Sequence, residues 1–354
     1  MILLRAELAE DLHEPSKLRD SLQTALRLEH STIPPYLVAA YSLGPSNRAI
    51  QRILVDVAKE EMLHMTLVCN LINALGGDPD LKSPQFIPHY PDHLPGSVQV
   101  SLSVGLERFS LELLEQVFLL IEQPEKPGDF PVVLGLAPAE SITIGQFYGR
   151  VKEVIRNGGE SLFTTDSDRI KRQMVRTISD VESIAVTNVA SAIAAIDLII
   201  DQGEGTGKSP LEAATGEPAH YYRFQGILKG GTLKTDSTVP EGFAFKTDPA
   251  NKIVFDPAGV FPVKADLKVA DLPAGSAVRA LAVEFNKNYT QMLFELHAAF
   301  ETSGGEQQAH VSTAQNLMSG ELRKLGHQLT TLEITPGSGV HAAPTFEFTD
   351  PAGP

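Results

Sequence analysis

Apolar residues recur at helical spacing over two long stretches near the start of the chain. Between 16 and 43 one face carries Leu18, Leu22, Ala25 or Leu26 and Ile33, with Ser16 placed to cap the start. Pro34-Pro35 should interrupt this helix by removing hydrogen bonds, and Gly44-Pro45 should end it. Between about 46 and 75 the stripe runs Ile50, Leu54, Val57, Val68, Leu71 and Leu75, and Gly76-Gly77 marks the stop. A Pro-, His- and Asp-rich loop follows over 77–100, of a length more often functional than idle. The pattern then predicts a short helix over 109–122, a helix over 141–157 capped by Ser141, a long helix over 168–202 and another starting near Pro218.

After Gly230 the texture changes. GFAFKTDPANKIVFD reads as a hairpin around a Pro-Ala-Asn turn, amphipathic helices follow over 276–302 and 306–330, and the Gly- and Pro-rich tail from Gly337 should form an extended strap. The expected fold is mainly α, an up-down four-helix bundle with additional helices. Residues 1–230 form the bundle, and 231–354 form a C-terminal extension packed on it.

Two residues break the second stripe. Glu61 and His64 stand between Val57 and Val68, where apolar side chains belong, and a buried carboxylate or imidazole is costly without a partner. Glu-x-x-His is also the spacing that di-iron and di-manganese four-helix bundles use to hold metal. Glu29 occupies a core-facing position on the first helix; the alternative pairing with Arg27 or His30 is weakened because both lie on other faces. Glu60, one helical step round, is the rival to Glu61 and a candidate acceptor for an imidazole N–H.

Bundle logic asks for further ligands on a third and a fourth helix. Glu153 falls opposite the stripe of Ile144, Phe147, Tyr148, Val151 and Ile155 and should face solvent. Glu182 sits at the edge of the stripe of the long helix and stays a candidate. Glu204, in QGEGTG, is either a ligand or a solvated loop carboxylate. His220 follows Glu217 at a second Glu-x-x-His spacing and is either a ligand or a capping histidine. His89 and His93 fit loop packing equally well, and His297 and His310 are expected to be partly exposed.

Charge and composition narrow the classes. The 354 residues carry a net charge of -15 with no Lys/Arg cluster, which argues against nucleic acid and anionic membrane as partners. No stretch is long enough to span a membrane, and the charged start (Arg5, Glu7, Glu10, Asp11) does not read as a signal peptide. Cys69 stands alone, so no intrachain disulfide forms; it reads as a buried packing residue in a reduced, cytoplasmic setting. No phosphate loop follows a strand and no nucleophile elbow is present.

With these residues placed, the chain resembles the ferritin-like family that includes the iminophenyl-pyruvate dimer synthases. The resemblance is carried by LEHSTIPPYLVAAYS (28–42), KEEMLHMTLVCNLINALGG (59–77), TIGQFYGRV (143–151), IIDQGEGT (199–206) and AHYYRF (219–224), with FNKNYTQML and APTFEF near the end. It implies a ferritin-like bundle with Glu29, Glu61 and His64 as metal ligands, and it raises Glu204 and His220 to the same role, with Glu182 and Glu217 behind them. Carboxylates with imidazoles suit iron, two ions by the resemblance, although manganese or zinc fits the same donors. The expected function is a non-haem metal-dependent oxidoreductase acting on a small organic substrate, which Arg223 and the neighbouring tyrosines would orient. The alternatives are a ferroxidase or iron-handling protein and a non-catalytic metal-binding partner. A homo-oligomer is compatible with each.

Overall fold

Helices α1 (Pro15–Tyr41) and α2 (Arg48–Ala74) lie antiparallel and pack along their length, burying Leu18, Leu22 and Leu26 of one and Ile50, Leu54 and Val57 of the other in a single core. The structure, a computed structural model, describes residues 2–98, 102–124, 141–203 and 209–350. The expected interruption of α1 does not occur: the helix runs through Pro34 and Pro35. Pro35 has no N–H to offer the Ser31 carbonyl, and the Tyr90 hydroxyl from the following loop donates to that oxygen instead at 2.7 Å. α2 ends where Gly76, at a φ of 75°, turns the chain so that Gly77 N–H reaches the Ile72 carbonyl at 2.9 Å.

The third helical segment, α3, runs from Leu111–Leu113 through a π turn at Leu114–Phe118 into Leu119–Ile121. α4 (Ile144–Gly158) begins one turn later than the sequence suggests. Thr143 forms its capping box with Gln146, while Ser141 belongs to a short strand, β2 (Ser141–Thr143), paired antiparallel with β1 (Leu3–Arg5). Glu153 faces solvent, as its phase predicts.

The long helix expected over 168–202 is three elements. A short α5 (Ser167–Lys171) leads into a two-residue hairpin, β3 (Thr177–Ile178) and β4 (Val181–Glu182), and α6 (Val189–Gly203) follows. Side chains replace the missing helical hydrogen bonds. Asn70 of α2 holds Met174 N–H at 2.9 Å, Met174 C=O at 2.8 Å and Ile184 C=O at 3.0 Å. Gln173 takes both backbone groups of Val186. Asn188 and Ser191 cap α6, each accepting from the other's backbone. α6 packs on α2 and α4, which completes the four-helix layer.

α7 (His220–Lys229) leads into β5 (Thr232–Thr235), which pairs with β6 (Phe243–Lys246) in the register Leu233↔Phe245. The hairpin expected within 242–256 is therefore displaced: β6 pairs backward onto β5, and residues after the Asp248 turn return to Gly230 and Thr232. Gly231 permits this, because a Cβ there would meet the Lys246 carbonyl oxygen at 2.1 Å.

α8 (Ala277–Glu301) packs on α9 (Gly304–Asn316), which passes through a π turn at Leu317–Leu322 into α10 (Arg323–Thr331) lying on α1. The tail is an extended strap over α8. Buried Asn286 pairs with Thr345 and Glu347, and Thr290 accepts from Thr349 N–H. His297, expected to be partly exposed, is buried at 6 %, and Cys69 is fully buried. Among the described residues no helix is long and apolar enough to cross a membrane.

Candidate metal centre

Two buried triads share one residue. Glu29, Glu61 and His64 converge, and so do Glu61, Glu122 and His220. Glu61 spans them with its two oxygens: Oε1 lies 3.0 Å from His220 Nδ1, and Oε2 lies 3.4 Å from His64 Nδ1. The terminal carboxylates match each other atom for atom. Glu29 Oε2 lies 3.4 Å from His64 Nδ1 while its Oε1 accepts from the Tyr148 hydroxyl at 2.6 Å. Glu122 Oε2 lies 3.4 Å from His220 Nδ1 while its Oε1 accepts from the Tyr36 hydroxyl at 2.5 Å. The imidazole rings stack with centroids 5.6 Å apart.

Chain geometry explains the convergence. Glu61 and His64 are one turn apart on the α2 seam, facing Glu29 on the antiparallel α1. Glu122 closes α3, its N–H on the Phe118 carbonyl, and His220 is the first residue of α7. α4 contributes Tyr148, and α6 contributes Gln202. The carboxylate and histidine beyond the first two helices thus come from segments flanking the bundle, where four-helix logic would place them on its third and fourth members.

A second layer grips each imidazole from behind. His64 Nε2–H donates to Gln202 Oε1 at 3.2 Å, and His220 Nε2–H donates to Glu60 Oε2 at 2.8 Å. Glu60 is thereby an acceptor behind a histidine, as its position on α2 suggests. Its Oε1 takes Arg223 at 2.9 Å and the Ser179 hydroxyl at 3.1 Å, and Arg223 also holds Glu212 and, at 2.6 Å, the Pro218 carbonyl. Each nitrogen of Arg223 is thus engaged within the protein, which makes it an anchor for Glu60 and Glu212.

The electrostatics follow from burial and pairing. Burial pulls the His64 imidazole down, but Glu61 and Glu29 outweigh it and push its pKa up to about 10. Burial raises Glu60, yet His220 and Arg223 more than compensate and bring it to about 2. Glu61 is held well below the usual carboxylate range by His64 and His220 despite its burial. For Glu29 desolvation wins and its pKa is raised.

This donor set fits a divalent metal. With both Nε2–H groups engaged, each Nδ1 faces carboxylate oxygens and must share a cation with them, a proton in the metal-free protein or a metal ion in its place. His220 Nδ1 is buried and makes no well-directed hydrogen bond among the described residues. Beside the centre lies a cavity of about 50 Å³, lined by the ligand carboxylates and His64 and walled by Ile121, Ile144, Ile199 and Ile200. That space is about a third of the roughly 150 Å³ that accepts benzene, so it is too small for an aromatic molecule.

The other sequence candidates lie elsewhere. Glu182 is exposed on β4, because the helix that would have aimed it inward does not form. Glu217 is exposed outside α7, 3.7 Å from Lys234, so its Glu-x-x-His spacing with His220 carries no helical geometry. Glu204 lies outside the described residues. Glu122 was missed, although Leu114, Phe118 and Glu122 follow in steps of four on one face. Tyr36, Tyr148 and Glu212 carried no comparable signal.

A family model described as Ferritin-like matches residues 22–229, more than half of the chain and every residue of the two triads and their backing. The chain belongs to the Ferritin-like family. A curated relative, the dichlorochromopyrrolate synthase of Lentzea aerocolonigenes, is 29% identical over 322 residues, covering 83% of this chain. The chain spans only 29% of that relative's length. A crystal structure of a ferritin-like protein from Caulobacter vibrioides shares the fold with a TM-score of 0.53 at 23% identity, over 87% of this chain and 95% of that one.

Proposed function

We propose that this Ferritin-like protein is a two-metal oxidoreductase, with iron as the working metal and dioxygen as the oxidant of a small organic substrate. The observation that carries this reading is the bridging geometry of Glu61, one oxygen toward each imidazole. Glu29 and His64 would hold one ion, and Glu122 and His220 the other. The charge balance agrees: the linked carboxylates of the centre and its backing (Glu29, Glu60, Glu61, Glu122, Glu212) against Arg223 leave a formal negative charge that two divalent ions would offset.

When bound, the ions supply electrons and open coordination positions. The chain's own residues do the rest. Tyr148 and Tyr36 fix the rotation of the terminal carboxylates, and Gln202 and Glu60 fix the imidazole tautomers. The isoleucine walls give the cavity an apolar side, which strengthens the charge interactions next to it. A substrate larger than the cavity would meet the centre at its mouth.

Iron loading tests the proposal. Metal-free protein given Fe(II) without oxygen should saturate at two ions per chain, and oxygen uptake should then rise with a small oxidisable organic compound. Continued uptake of Fe(II) far beyond two ions, with no organic compound needed, would instead favour iron handling.

A further inference from the structure

The two halves of the centre have the same inner donors: a shared Glu61, one terminal carboxylate with a tyrosine on its Oε1, and one imidazole presenting Nδ1. They differ behind the imidazoles. His64 leans on the neutral amide of Gln202 at 3.2 Å, whereas His220 leans on the carboxylate of Glu60 at 2.8 Å. A carboxylate acceptor makes an imidazole a stronger donor than an amide does, because it shares negative charge through the hydrogen bond.

Glu60 is also the better anchored partner. Arg223 and Ser179 fix its other oxygen, and Arg223 is fixed in turn by Glu212 and the Pro218 carbonyl. Ser179 reaches Glu60 from the tip of the β3–β4 hairpin, where Ser179 and Asp180 take φ of 50° and 66°. The hairpin that interrupts the expected long helix thus supplies part of this anchor.

We propose that the halves bind metal with unequal affinity, the Glu61/Glu122/His220 half filling first, and that Glu60, held by Arg223 and Ser179, is the positioning residue that sets this order. The inference rests on the two-metal reading above. Its consequence is a singly loaded state with a defined vacancy on the Glu29/His64 side, the half whose imidazole lines the cavity.

Titration of chelator-stripped protein with Co(II), followed by visible absorption and calorimetry, tests it. The wild type should bind two ions in separable steps, about tenfold or more apart. Glu60→Gln should weaken the first step by about 10- to 100-fold and leave the second nearly unchanged, which narrows or inverts the gap. Gln202→Glu should tighten the second step toward the first. One step of two equivalent ions in the wild type would overturn the inference while sparing the two-metal centre, as would a Glu60→Gln variant that weakens only the second step. If Glu60→Gln does not fold, an unchanged second step in Gln202→Glu overturns it. Absence of Co(II) binding in the wild type would remove the centre and the inference together.

Discussion

The Tyr148 hydroxyl donates to Glu29 Oε1 at 2.6 Å, leaving Oε2 of the same carboxylate directed at His64. Burial alone would favour a protonated Glu29, and the phenol opposes that by hydrogen-bonding the charged form. Tyr148→Phe should therefore weaken metal binding at the Glu29/His64 half more than at the His220 half. It should also cost about 1–3 kcal/mol of stability, the usual consequence of losing a hydrogen bond to a buried charged group. Urea unfolding with and without Co(II) reads both effects.

Arg223 lies between Glu60 and Glu212, and all three are largely buried. Arg223→Ala should lower stability by about 3–5 kcal/mol, because two buried carboxylates lose their cation. Were Arg223 a substrate-binding residue instead, the variant would raise KM with little change in denaturant midpoint.

The metal-free protein should be most stable near pH 6.5. His30 is buried and neutral, its pKa lowered to about 3 by desolvation, so below pH 6.5 the unfolded chain binds the extra proton. Stability should then fall with acidification by up to about 1.4 kcal/mol per pH unit from this group. His64 has the opposite sign: its pKa is raised to about 10, so the folded state holds the extra proton between 6.5 and 10 and stability falls as pH rises through that window. Bound metal displaces that proton, so the alkaline loss should disappear on metal loading. Denaturant midpoints from pH 5 to 9, with and without metal, check both flanks; stability that climbs steadily to pH 9 without metal would contradict the assignment.

Asn70 should matter as much as a core residue. It holds three backbone groups of the segment between α5 and α6. Asn70→Ala leaves Met174 N–H and the Ile184 carbonyl without that partner, at about 1–3 kcal/mol each, while the Met174 carbonyl keeps the Ser183 hydroxyl. Limited proteolysis should cut between Arg172 and Ile184 in the variant before it cuts the wild type.

The parts of the centre legible in the sequence are those on regular helices. Glu61 and His64 stood out because an uninterrupted 3–4 stripe made them anomalies, and Glu29 because it continues the face of Leu18, Leu22 and Leu26 ahead of the two prolines. Prolines that should have broken α1 did not, since Tyr90, 59 residues from Ser31 in sequence, satisfies a freed carbonyl. The false helix over 168–202 has the same origin: apolar periodicity continues there, but Asn70 and Gln173 satisfy the backbone in a non-helical path. Glu182 failed with that helix. His220 was readable through its motif and not through its spacing, because Glu217 lies outside α7. Glu122 continues the face of Leu114 and Phe118 but closes a short segment, α3, that gives a stripe few turns to stand out in.

The central claim is that Glu61 bridges two metal ions. Anomalous diffraction from crystals of metal-loaded protein tests it most directly. The account predicts two peaks, one among Glu29, Glu61 and His64 and one among Glu61, Glu122 and His220, both lost in Glu61→Ala. Peaks that persist unchanged in Glu61→Ala, or metal bound only outside these two triads, would contradict it.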